Sequence, residues 1–146
     1  MKTILLALLA LASPLAVLSA DVSVVIEGND QMKFNKQAFT VKSGQTVTLL
    51  LKNVGHLPKE MMGHNLVILK EGVDKMKFAA ESVKAGMAAE YVGESQKEQV
   101  IAYTRLLGPG ESDTITFEAP APGKYEYICS FLGHAGIMNG VMTVTE

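Results

Sequence analysis

The segment Lys124-Tyr-Glu-Tyr-Ile-Cys129 alternates polar and apolar residues and runs directly into Ser-Phe-Leu-Gly-His134-Ala-Gly-Ile-Met138. Another β-branched segment begins at Val141. Successive side chains of an extended chain point to opposite sides, so Tyr125, Tyr127 and Cys129 share one face of a strand. A strand, a short loop and a second strand therefore deliver a thiol, an imidazole and a thioether to one point. Only a fold whose strands keep that loop from relaxing can hold the three groups together.

The rest of the chain supplies such strands. Val22 to Ile26, Thr46 to Lys52, Asn65 to Lys70, Ser112 to Glu118 and Val141 to Thr145 are short, rich in β-branched or aromatic residues, and bounded by Gly, Pro, Asn or Ser. With Lys124 to Cys129 they read as an all-β sandwich. Gln31 to Val41 adds one or two shorter strands and Gln99 to Tyr103 another. One segment differs: Val73, Met76, Ala80, Val83, Met87 and Tyr91 recur at spacings of three and four, which predicts an amphipathic helix over Val73 to Tyr91. In an all-β chain this is an inserted flap, with that apolar stripe laid on the sandwich.

Residues 1–20 have the form of a secretory signal peptide: Lys2, an apolar run from Ile4 to Leu18, and small residues at Ser19-Ala20. The run is shorter than a spanning helix needs, so residues 21–146 are expected as one soluble, exported domain. Exported chains ordinarily use cysteine in pairs, and this one has a single cysteine. A free thiol, an intermolecular bond or a metal ligand remains. The formal charge is −2, or −3 without Lys2, with both signs scattered, which argues against a nucleic-acid partner.

A cysteine in a strand is most often a small buried hydrophobe. His134 and Met138 on the next turns of one loop change that balance. A soft sulfur anion, an imidazole nitrogen and a weak thioether match copper cycling between two oxidation states, and a trigonal His₂Cys site with a long axial Met is the blue-copper pattern. A second histidine must come from elsewhere; His64, in Met-Met-Gly-His-Asn, is the better donor, and His56 reads as a solvated loop residue. Gly63 allows a backbone carbonyl to approach a metal, and the short amide of Asn65 can tie this strand start to the Cys129 loop. Met61 and Met62 read as apolar rim.

At this point the chain resembles azurin, the small blue copper protein family, with the auracyanins a close second. The resemblance lies in Asp21 to Met32, Leu57 to Asn65, Val100 to Gly110 and Cys129 to Gly140. It implies an eight-stranded Greek-key, cupredoxin-like sandwich. It also implies His64, Cys129 and His134 in the trigonal plane of one copper ion, Met138 and the Gly63 carbonyl as weak axial groups, and backbone N–H groups of Asn65 and Phe131 directed at the thiolate.

Three departures stand out. The azurin disulfide is missing, with Val22 and the Ser43-Gly44 turn near its two ends. Leu66 stands where azurins bury a tryptophan, and Asn53 where many carry a pH-sensitive histidine.

The function implied is that of an exported, monomeric electron carrier, not an enzyme, working in the periplasm between redox partner proteins, cytochromes among them. Its docking surface would be an apolar rim around His134: Met32, Leu57, Met61, Met62, Phe131, Leu132, Gly133 and Ile137. The rival readings are a copper storage or delivery protein, and a zinc-bound or metal-free interaction sandwich.

Overall fold

Strand alternation decides which side chains meet between the two sheets of this protein, for which a computed structural model describes residues 20–146. The signal-peptide segment falls outside the described residues except for its last position. One sheet holds β1 (Val22–Asn29), β2 (Lys33–Phe34), β4 (Thr46–Asn53) and β7 (Ser112–Glu118), in the order β2-β1-β4-β7. The other holds β3 (Ala38–Lys42), β5 (Val67–Leu69), β6 (Val100–Tyr103), β8 (Gly123–Ile128) and β9 (Asn139–Thr145), in the order β3-β9-β8-β5-β6. The two-residue β2 joins the eight strands expected. β1 pairs with β4 and β3 with β9 in parallel, while the remaining pairs are antiparallel. The chain changes sheet between β2 and β3, β3 and β4, β4 and β5, β6 and β7, and β7 and β8, while β1–β2, β5–β6 and β8–β9 pair within one sheet, a crossing pattern of the Greek-key kind.

Alternate residues fill the space between the sheets. Ile26, Val47, Leu49 and Leu51 from one sheet meet Ile68, Tyr127, Met142 and Val144 from the other, and Cys129 and Met138 belong to the same cluster. Val22 packs against this core and Leu66 is fully buried in it, so ordinary apolar contact occupies the places where the resemblance implied a disulfide and a tryptophan. Burial of the Tyr127 hydroxyl is compensated by its donation to the Lys36 carbonyl at 2.7 Å.

The helical flap differs from expectation. Among the described residues two α-helices occur, α1 (Lys59–Met62) and α2 (Lys75–Ala85), the second starting where the Asp74 carboxylate accepts from the N–H groups of Met76 and Lys77. It ends at Gly86, whose φ of 73° is open to glycine at little cost, and a 3₁₀ turn over Met87–Ala89 follows. The buried face of α2 is Phe78, Ala79 and Ser82, of which Phe78 and Ala79 pack with Val67, Leu69, Val100 and Ile128 in a second, smaller core. Met76 and Val83, expected on that face, are 54% and 38% exposed. Phe78 decides the orientation because it has the most apolar area to bury, and Ser82 follows it inward by bonding Gln96 of a second 3₁₀ segment, Glu94–Gln99.

Candidate metal centre

Three segments converge at one end of the sandwich. α1 stops at Gly63, and His64 then exchanges two backbone hydrogen bonds with Leu107, at 3.0 and 2.8 Å. Cys129 follows the last residue of β8. Its N–H donates to the Met138 carbonyl at 3.0 Å, and inside the loop so closed the His134 N–H donates to Phe131 and the Met138 N–H to His134. The loop is therefore pinned at both ends and within. Cys129 Sγ lies 3.5 Å from His134 Nδ1, 4.0 Å from His64 Nδ1 and 4.0 Å from the Gly63 carbonyl oxygen. One donor atom from each of the three side chains falls within 4.8 Å of the others. Cys129, His64 and Met138 are fully buried and His134 nearly so.

Neighbours fix the direction of the lone pairs. His64 Nε2 sits 3.0 Å from the Asn29 carbonyl, which can only accept, so that nitrogen carries the proton and the Nδ1 lone pair faces Cys129. Burial lowers the pKa of His64, against the opposing pull of Asn29 and Asp30. Burial, with the neighbouring His64 second, lowers His134 to about 4. Both imidazoles are neutral at pH 7 and free to donate. The Cys129 thiol is pushed up to about 12 by burial, although backbone N–H groups of Asn65 and Phe131 reach its sulfur and oppose the rise. A buried thiolate is therefore costly here without a cation, and a metal that binds must displace the thiol proton.

The remaining expected residues fall as follows. The Asn65 amide joins the two ligand segments: its Oδ1 accepts from the Ser130 N–H at 2.8 Å, and its Nδ2 donates to Ser130 Oγ and the Glu90 carbonyl, each at 2.8 Å. The Met138 side chain runs beside the His64 ring toward Gly28. Gly63 has extended backbone but no room for a side chain, since a Cβ there would stand 2.7 Å from the Lys59 carbonyl. Asn53 is buried and donates to the Leu107 carbonyl, the same oxygen that His64 N–H uses. The His56 side chain is 93% exposed and 3.9 Å from Asp30, outside the cluster.

The rim is uneven. Leu57, Met61, Leu132 and Ile137 are exposed, whereas Phe131 is buried between Tyr91 and His134, with ring centroids 5.0 and 4.8 Å away. Phe131 is thus a wall of the site rather than part of its outer face. Sequence reasoning missed the Asn29 carbonyl, Ser130 and Glu90. The first has no residue-type signature at all, and the last is hidden inside the overextended helix.

A soft sulfur flanked by two neutral imidazole nitrogens, closed in by fixed backbone, fits copper better than a hard cation. A two-sheet sandwich with this buried trio has the build of a type 1 copper protein. The family model for copper binding proteins of the plastocyanin/azurin family matches residues 20–145. Azurin from Achromobacter denitrificans is 41% identical over 145 residues, 97% of this chain and 96% of that protein. Azurin from Pseudomonas aeruginosa is 39% identical over 138 residues, 92% of this chain and 90% of that one.

Among solved structures, dithionite-reduced auracyanin from Roseiflexus castenholzii superposes with a TM-score of 0.77 at 39% identity, covering 88% of this chain and all of that one. An azurin from Methylomonas sp. strain J gives 0.76 at 30% identity, covering 85% and 98%. The chain belongs to the plastocyanin/azurin family of copper-binding proteins. It is accordingly a blue copper electron-transfer protein and not an enzyme. Among the described residues no helix is long and apolar enough to cross a membrane.

Proposed function

We propose that residues 1–20 direct export to the periplasm and that residues 21–146 act there as a monomeric carrier, passing single electrons between larger redox proteins through weak encounters. His64, Cys129 and His134 would hold the copper ion, with the Met138 thioether and the Gly63 carbonyl as weaker donors beside them. Copper held there supplies a one-electron couple.

The protein's part is to keep the donors still. The Asn29 carbonyl holds the His64 ring, the Asn65 and Phe131 N–H groups hold the sulfur, and the Asn65–Ser130 bonds lock one ligand segment to the other. Donors fixed this way need little rearrangement when the charge at the site changes, which is the condition for fast transfer.

The observation that carries the reading is the place of His134. It bears a donor nitrogen inside, yet sits on a loop whose neighbours Leu132 and Ile137 are 60% and 54% exposed. Electrons leaving by that ring need cross only this thin apolar edge, and a small apolar patch suits a transient redox encounter.

Leu132→Asp tests the patch. The charge must be desolvated at each docking, so electron self-exchange is expected to fall roughly ten-fold or more, within the range by which charge alters association rates. The reduction potential should hardly move, because residue 132 points away from the donors. Unchanged exchange kinetics, followed by NMR line broadening in mixtures of the two oxidation states, would place the docking surface elsewhere.

A further inference from the structure

We propose that Gly28 is a positioning residue for the thioether of Met138: the missing side chain in β1 is the space the Met138 methyl group occupies. A Cβ built on Gly28 would stand 2.8 Å from Met138 Cε and 3.2 and 3.4 Å from His64 Cδ2 and Cγ. Conformation does not demand glycine there, because Gly28 is regular strand and not among the residues of positive φ. What glycine provides is room.

Neither backbone can retreat to make that room elsewhere. Gly28 is paired with Phe34 of β2 and Asn53 of β4, and its carbonyl accepts from Val54 N–H at 2.9 Å. The next residue, Asn29, holds His64 Nε2 at 3.0 Å. On the opposite side Met138 is fixed through its own N–H to His134 and its carbonyl from Cys129. A methyl at position 28 must therefore turn the end of the Met138 side chain, since that is the one flexible group in contact. The axial ligand is a lever on the potential of a site of this type, so one backbone position in the opposite sheet sets how that lever lies.

This inference rests on the copper reading above. Gly28→Ala is expected to keep the blue colour, because His64, Cys129 and His134 remain, but to change the relative intensities of the sulfur-to-copper bands and shift the potential. In a Met138→Ala background the same substitution should add no further shift, since residue 28 then fills vacated space. Unchanged spectrum and potential in Gly28→Ala would overturn the proposal. So would an equal shift in both backgrounds, which would assign the effect to His64 or the strand.

Should Gly28→Ala fail to fold, the Gly28→Ala/Met138→Ala pair is expected to fold and melt near Met138→Ala; an unfolded pair contradicts the proposal. In metal-free protein the Met138 ε-methyl NMR signal should move on Gly28→Ala, and a stationary signal counts against it. A wild-type protein that takes up copper without turning blue would instead count against the copper reading and leave the methyl test standing.

Discussion

Cys129→Ser is expected to abolish the intense visible absorption of the copper-loaded protein while leaving the sandwich folded. The colour of a site of this kind arises from charge transfer out of a thiolate, and a serine hydroxyl neither ionises near neutral pH nor carries a polarisable sulfur. The fold should survive, because the substitution conserves shape and the new hydroxyl has His134 Nδ1 within reach, the atom now 3.5 Å from the sulfur. Burying that hydroxyl costs about 1–3 kcal/mol if it is left unpaired and less with this partner. Circular dichroism should match wild type, and a blue Cys129→Ser protein would contradict the assignment of the thiolate.

Asn65→Ala should cost the domain a large part of its stability while leaving the donor side chains untouched. Its amide is fully buried and makes bonds to Ser130 N–H, Ser130 Oγ and the Glu90 carbonyl. Alanine would leave the Ser130 N–H buried without its acceptor, and each orphaned buried group costs on the order of 1–3 kcal/mol. Ser130 Oγ keeps a partner in the Tyr91 carbonyl at 2.8 Å, which limits the damage. The expected total is about 3 kcal/mol, or roughly 10 °C in the thermal midpoint of a domain of this size. The consequence extends to the site, since Asn65 joins the His64 segment to the Cys129 loop. A midpoint within about 2 °C of wild type would show that the two segments hold together without it.

Residues differ in how much of this could be read from sequence. Tyr125, Tyr127 and Cys129 declare their shared face by alternation, and all three are buried as that pattern requires. Cys129, His134 and Met138 lie within one loop, so local spacing alone brings them together. His64 could be named only as the better of two histidines, because its approach depends on how β5 packs beside β8, a long-range fact.

The helix was legible in kind but not in orientation. Met76, Val83 and Phe78 all carry apolar surface, and periodicity gives no weight to ring size, whereas packing does. Rim and wall were likewise inseparable until the fold placed Phe131 behind Leu132. The supports of the site were the least visible. Asn29 acts through a carbonyl that every residue possesses, and Gly28 acts by having no side chain.

Whether the copper cycles in place is decided by a reductive titration of the copper-loaded protein, followed optically and with copper assayed in an ultrafiltrate containing a Cu(I) chelator. An electron carrier should show an intense blue form bleached by one electron per copper, no copper in the filtrate, and full return of colour on reoxidation without added metal. Copper appearing in the filtrate on reduction, with colour lost for good, would contradict an electron carrier and mark a protein that stores or delivers the metal.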